Sequence, residues 1–321
     1  MNRRIRSALA LACVASLLVA ACGGSRPIAS EPRPRLPVRS DVRVEAIVES
    51  ELVSLLGQRD VRSARIVVLS VDDGAVLAAN GRDRSGPHAS LATDEVRSHG
   101  STAKLFTLAA ALEAAAVRME DTFEGGVITR DGVTIEDHET HGAMSLEDVM
   151  AYSSNVGATR VFDRLGAGPL AGTLARLRFS VPEDFGTRPG RDAQIAYGSL
   201  FEASSLDVAA GYLVVARGGT WPGGRVAISP TTADRSLALL ERAVSREDAT
   251  GHPAAMPGVR VAGKTGTVRL EGGGTFGVFV GILPVEAPRY VVLVGIEAAG
   301  EGYSGGTLAA PSFVRVARQL L

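Results

Sequence analysis

The stretch Ser98-His99-Gly100-Ser101-Thr102-Ala103-Lys104-Leu105-Phe106-Thr107-Leu108-Ala109-Ala110-Ala111-Leu112-Glu113 reads as a loop, a glycine and a helix beginning at or beside Ser101. Leu105, Leu108, Ala109 and Leu112 recur at helical spacing, and alanine and leucine are strong helix formers. Ser101 and Lys104 stand three apart, so they share one face of the first turn. A hydroxyl there sits among unpaired backbone N–H groups at the positive end of the helix dipole. Two readings are open. Ser101 or Thr102 is a helix cap and Lys104 is solvated, or Ser101 is a nucleophile and Lys104 its base.

The basic residues favour the second reading. Of 34 Lys plus Arg, only Lys104 and Lys264 are lysine. Arginine cannot give up its proton in a protein, whereas a lysine can when its surroundings lower its pKa. Two lysines in so arginine-rich a chain mark places where a guanidinium would not serve. Lys264 lies in Val261-Ala262-Gly263-Lys264-Thr265-Gly266-Thr267.

The N-terminus has the layout of an export signal. Arg3, Arg4 and Arg6 precede an apolar run from Ala8 to Ala21, too short to span a bilayer comfortably. The run ends Leu18-Val19-Ala20-Ala21-Cys22-Gly23, which resembles the lipobox of bacterial lipoproteins. That resemblance implies cleavage before Cys22 and a lipid anchor on it, with residues 1–21 as the signal peptide. Cys13 would leave with the signal, so no internal disulfide is expected. Removing residues 1–21 takes three arginines and no acid, and the formal charge moves from −1 to −4. Aromatics are scarce and no basic face is interleaved with them, so nucleic acid is not an expected partner. Residues 22–40 are rich in Pro, Arg and Ser and read as an extended tether. Residues 41–321 suit one sizeable domain.

Within that domain a helix is predicted from Asp41 to about Gln58, with Val44, Ile47, Val48, Leu52 and Leu55 as its apolar stripe. Residues 65–71 and 75–79 flank Asp72-Asp73-Gly74, a hairpin turn signal. Residues 80–99 read as loop. Helices are predicted from Ser145, from Val156 to about Leu165, from Ser205 to Arg217 and from Pro230 to Val244. The period then changes to two, with strands at 259–269, 275–283 and 289–297 and a closing helix at about 309–321. Two N-terminal and three C-terminal strands thus bracket a helical middle. The expected class is α+β: a five-stranded antiparallel sheet packed with helices, plus an inserted all-helical lobe.

Three motifs now stand in order: Ser101-x-x-Lys104 on a helix, Ser153-Ser154-Asn155 in a turn, and Lys264-Thr265-Gly266-Thr267 on a strand. Ser-x-x-Lys, Ser-x-Asn and Lys-Thr-Gly form the signature set of penicillin-binding proteins and class A β-lactamases. With the hairpin at Val67–Ala78, the helix at Gly100–Glu113, Ser153–Ala158, Thr250-Gly251 and Phe279-Val280-Gly281, the chain resembles the transpeptidase domain of class B penicillin-binding proteins over about residues 41–321.

The resemblance implies the β-lactamase/transpeptidase-like fold and a D,D-transpeptidase acting on D-Ala-D-Ala stem peptides of peptidoglycan. Ser101 would be the nucleophile and Lys104 its base, with Lys264 the second cation that lowers the pKa of Lys104. Ser153 would relay a proton and Asn155 would orient the substrate amide. Thr265, Gly266 and Thr267 would bind substrate, with the N–H groups of Ser101 and Thr267 as an oxyanion hole. No cofactor or metal is implied. β-Lactams would act as inhibitors, and cell-wall synthesis or division proteins are candidate partners. The expected location is the extracytoplasmic face of a membrane, inner or outer left open, through Cys22.

There are departures. A lipoprotein-like signal and tether stand where the family has a transmembrane helix and pedestal domain. The span from Asn155 to Lys264 is short, Ala196-Tyr197-Gly198-Ser199 replaces a glycine-rich turn, and Leu105 replaces a common proline. Alternative activities are D,D-carboxypeptidase, serine β-lactamase with Glu183-Asp184 as a candidate deacylation pair, and a non-catalytic scaffold or sensor. His138-Glu139-Thr140-His141 lacks zincin spacing and reads as an exposed loop. Trp221 is expected in a turn, partly packed. Tyr303 either lines the cleft or packs.

Overall fold

A computed structural model describes residues 36–300 and 302–321. The signal segment and Cys22 lie outside them.

Residues Val61–Ser70 (β1) and Val76–Asp83 (β2) form the expected hairpin. Gly86–Pro87 (β3) adds a short outer strand, and the C-terminal strands are Ala262–Arg269 (β4), Thr275–Leu283 (β5) and Tyr290–Ala298 (β6). The sheet order is β4-β5-β6-β1-β2-β3, and every pair is antiparallel. The sheet therefore has six strands, one more than expected. Residues 80–99 are not simply loop: β2 runs on to Asp83, and β3 and a one-turn helix Ser90–Thr93 (α2) follow. Pro87 has no N–H to give a ladder, which suits it to the edge it occupies. The two ends of the chain meet where β1 pairs with β6, from Val61 opposite Ala298 to Ser70 opposite Tyr290.

Helices cover both faces. Val42–Leu56 (α1) and Gly305–Leu320 (α10) lie on one, packed on Ile66, Val68, Phe279 and Val292. The helical lobe lies on the other, packed on Val67, Leu69, Val278 and Leu293. Alternate residues of one strand thus serve opposite cores, as a period of two requires. This is why the strands are apolar nearly throughout: all nine residues of β5 are buried. An antiparallel sheet usually leaves one face wet; this one does not.

The lobe holds Lys104–Glu113 (α3), Leu146–Ala151 (α4), Asn155–Leu165 (α5), Ala167–Arg176 (α6), Pro189–Tyr197 (α7), Ser205–Ala216 (α8) and Pro230–Ser245 (α9). It is not all-helical as expected: Thr122–Phe123 pairs with Met144–Ser145 and Ile128–Arg130 with Val133–Ile135, segments too short to show a period of two. α10 starts earlier than its apolar stripe suggests, because Ser304 caps it and Thr307 answers in a capping box. Trp221 corrects its expectation. It is buried, donates its indole N–H to the Arg176 carbonyl at 2.9 Å and lies under the Arg178 guanidinium. Tyr303 donates its hydroxyl to Asp60 at 3.0 Å. At the other end, Val38 already bridges to Val76, and Arg39 donates its backbone N–H to the Val76 carbonyl at 3.0 Å. The last residues read as tether therefore lie along the sheet. Among the described residues, no helix is long and apolar enough to cross a membrane.

Phe313 of α10 is fully buried, its ring 4.7 Å from that of Phe279 in β5. Phe313→Ala is expected to cost about 3–5 kcal/mol of stability. Urea denaturation measures it, and a loss under 1 kcal/mol would mean that α10 is not part of the cooperative core.

Candidate active site

The two readings of Ser101 separate here. Gly100–Ala103 is a 3-10 turn that feeds α3, and neither segment has a side-chain cap. Thr102 donates its hydroxyl to the His99 carbonyl at 3.1 Å, so it is not a cap either. Ser101 instead meets Lys104: Nζ to Oγ is 2.6 Å. Lys104 is fully buried rather than solvated. Its Nζ also reaches Asn155 Oδ1 at 2.8 Å and the Tyr197 carbonyl at 3.2 Å. One amine thus joins the nucleophile turn, the start of α5 and the end of α7.

Backbone contacts bring these elements close. The outer edge of β4 lies against the turn at His99-Gly100, and a Cβ on Gly266 would fall 2.0 Å from the His99 carbonyl oxygen. Gly198 ends α7 at φ 104°, where a Cβ would fall 2.1 Å from the Gly100 carbonyl oxygen. Only glycine fits either place. Below the turn, His99 is buried. Its Nε2 lies 2.8 Å from Ser205 Oγ and its Nδ1 3.1 Å from the Arg97 carbonyl. Burial first, and then the nearby arginines, hold this imidazole down at about 3, against the hydrogen bond to the Arg97 carbonyl. It is neutral and structural. The Arg97 and Arg65 guanidiniums lie against the Phe276 ring, with Glu95 bonded to both arginines.

Burial lowers Lys104 to about 7, while the Asp137 carboxylate acts the other way. Lys264, also fully buried, is pushed well below the ordinary lysine value by burial and then by the charge of Lys104. Two amines this deep resist holding two protons. Lys264 Nζ lies 3.3 Å from the Thr265 carbonyl and 3.4 Å from Thr265 Oγ1, and makes no bond to Ser101 or Lys104. Thr265 Oγ1 continues to Thr250 Oγ1 at 3.0 Å. Thr250 in turn donates its N–H to the Ala151 carbonyl at 3.0 Å, so the strand with Lys264 is tied to the segment before Ser153. Thr267 is exposed on the edge strand, and its Oγ1 accepts from Gly305 N at 3.0 Å.

Ser153 occupies the left-handed region at φ 62°, which is uncommon for a residue with a side chain. It is half-buried, and among the described residues no partner bonds its hydroxyl. Ser154 caps α5 by accepting from Gly157 N at 2.7 Å.

Sequence reasoning missed Asp137. Its Oδ2 accepts from Ser154 Oγ at 2.6 Å, and its Oδ1 from the N–H groups of Asn155 at 2.5 Å and Val156 at 3.0 Å. Nothing at 18 residues' distance marks an acid as the partner of a helix start. Tyr197 was missed because it acts through its carbonyl, which every residue has. The candidate deacylation pair does not join the site. Asp184 is held by Arg191 at 2.6 Å and Arg188 at 3.2 Å, and Glu183 is exposed. Among the described residues, no carboxylate bonds Ser101 or Lys104, and no His, Cys, Asp and Glu cluster could hold a metal. His138, Glu139 and Thr140 are exposed, and His141 stacks on Tyr152 with ring centroids 4.4 Å apart.

This geometry suits acyl transfer. The Asn155 and Tyr197 oxygens can only accept, so a neutral Lys104 gives them its two N–H bonds. Its lone pair is then left for the Ser101 hydroxyl proton.

With only two lysines, a chain labelled at lysine 13Cε gives two resolvable signals. One is expected to titrate near pH 7, Lys104, instead of about 10.4. Loss of that signal's titration in Lys104→Met confirms the assignment, and two signals that both titrate above pH 9 would overturn the buried-amine account.

A family model described as the penicillin binding protein transpeptidase domain matches residues 64–321. A probable peptidoglycan D,D-transpeptidase, PenA, of Neisseria flavescens is 26% identical over 86% of this chain and 79% of its own length. A probable peptidoglycan D,D-transpeptidase, PbpC, of Pseudomonas aeruginosa is 28% identical over 85% of this chain and 56% of its own length. The apo transpeptidase domain of Burkholderia pseudomallei penicillin-binding protein 3 superposes with a TM-score of 0.78 at 25% identity, covering 90% of this chain and 97% of that one.

Proposed function

The chain belongs to the penicillin-binding protein transpeptidase domain family, and from that premise we propose that it is a serine D,D-transpeptidase acting on D-Ala-D-Ala stem peptides of peptidoglycan. The observation that carries this reading is the buried Lys104 amine, 2.6 Å from Ser101 Oγ and lowered to about 7.

In this reading Ser101 Oγ attacks the carbonyl between the two D-alanines, and its proton passes to neutral Lys104. The developing oxyanion is met by the N–H groups of Ser101 and Thr267, which stabilise charge present only in the transition state. Collapse breaks the amide bond. The departing D-alanine amine takes up a proton through Ser153, and an ester on Ser101 remains. Asn155 orients the substrate amide, and Lys264 with Thr265 and Thr267 receives the terminal carboxylate. An amine of a second stem peptide then attacks the ester, and Ser101 regains its proton. Water in place of that amine would give a D,D-carboxypeptidase. A β-lactamase needs a base to activate water for rapid deacylation; among the described residues no carboxylate bonds Ser101 or Lys104, and the transpeptidase reading is preferred. Residues 1–21 would serve as export signal, and Cys22 would anchor the tether and domain at an extracytoplasmic membrane face.

Fluorescent penicillin is expected to label the wild type and not Ser101→Ala, with a stable adduct on Ser101 by mass spectrometry. Because the neutral lysine is the base, the acylation rate should rise with pH through an apparent pKa near 7 and level off above it. Rapid release of penicilloate would make the protein a β-lactamase. Absence of labelling beside an active control would leave a non-catalytic scaffold as the better account.

A further inference from the structure

We propose that Asp137 is a positioning residue of this active site, holding Asn155 and, through it, the Lys104 amine in line with Ser101. The inference rests on the acyl-transfer reading above and adds to it a group that no motif contains.

Asp137 is half-buried in the loop after the short strand Val133–Ile135. Ser154 takes only the Gly157 N–H and leaves the other unpaired N–H groups at the start of α5 without a partner. Asp137 takes the next two backbone donors, Asn155 N and Val156 N, on one oxygen, and the Ser154 hydroxyl on the other. Its neighbour Glu136 accepts from Asn155 Nδ2 through its carbonyl at 3.1 Å. Asn155 is therefore held at its main chain and at its side chain by two consecutive residues. The bond to the Glu136 carbonyl also decides which way the amide faces. Nδ2 must donate there, so Oδ1 is turned toward Lys104 Nζ, 2.8 Å away.

The second action is electrostatic. The groups facing Lys104 are Ser101 from its own turn, Asn155 from α5, the Tyr197 carbonyl and ring from α7, Lys264 from β4, and the Asp137 carboxylate from the loop. Only Asp137 in this set carries negative charge. Burial favours the neutral amine, and Asp137 opposes it. The carboxylate thus restrains the fall in the pKa of Lys104 while it fixes the acceptor that aims the amine.

The test is the pH dependence of acylation by penicillin in four proteins. The wild type should show its acid limb near pH 7. Asp137→Asn keeps an oxygen for the two backbone donors and removes the charge, so the limb should move to lower pH with the plateau within a few-fold of wild type. Asp137→Ala removes both, and should add a plateau loss of about tenfold or more. Ser154→Ala keeps the carboxylate, so its plateau should fall while the limb stays. Wild type that acylates, with a folded Asp137→Asn that keeps the wild-type limb, overturns the role of Asp137 and leaves the acyl-transfer reading intact. The Asn variant decides the matter if the Ala variant fails to fold. Wild type that never acylates overturns that reading, and this inference with it.

Discussion

A lysine amine with no solvent, 2.6 Å from a serine hydroxyl, is the constraint on which the rest of the site depends. Burying a charged ammonium costs several kcal/mol unless it is well paired, and a group in that position tends to shed its proton instead. Lys104 is given two neutral oxygens from distant elements and a second buried amine nearby. Burial away from water is what disfavours the protonated amine here, against the pull of the Asp137 carboxylate. The driving force for a basic lone pair beside Ser101 is thus the loss of water around Lys104. Delivering that environment requires the helical lobe and the sheet to close on each other.

The closure uses missing side chains as much as present ones. Gly266 lets the Lys264 strand lie against His99, and Gly198 lets the end of α7 lie against Gly100. A methyl group at either place would meet a backbone oxygen and drive the strand, the nucleophile turn or α7 apart. Around this junction the supports are polar: buried His99 on buried Ser205, half-buried Arg97 and buried Arg65 against Phe276, and exposed Thr250 between the Ala151 carbonyl and Thr265.

Much of the fold was legible because apolar periodicity and turn chemistry are local. The β1–β2 hairpin announced itself through Asp73-Gly74, and the three C-terminal strands through a period of two. The errors have local causes too. β3 is two residues long and includes a proline, too short to carry a pattern. α10 begins at a cap and two glycines that precede its apolar stripe. Trp221 sits among glycines that suggest a surface turn, yet tertiary packing buries it.

For the site, the sequence by itself determined which side chains have the right chemistry. Ser101 with Lys104, Ser153 with Asn155, and Lys264 through Thr267 were marked by type, spacing and the rarity of lysine. Only the tertiary structure decided that Ser101 is no cap, that Lys104 is dry, and that Asp137 and the Tyr197 carbonyl complete the arrangement. The physical reason is range. Spacing along a helix reaches three or four residues, whereas hydrogen bonds to Lys104 come from as far as 93 residues along the chain, and the buried Lys264 amine from farther still.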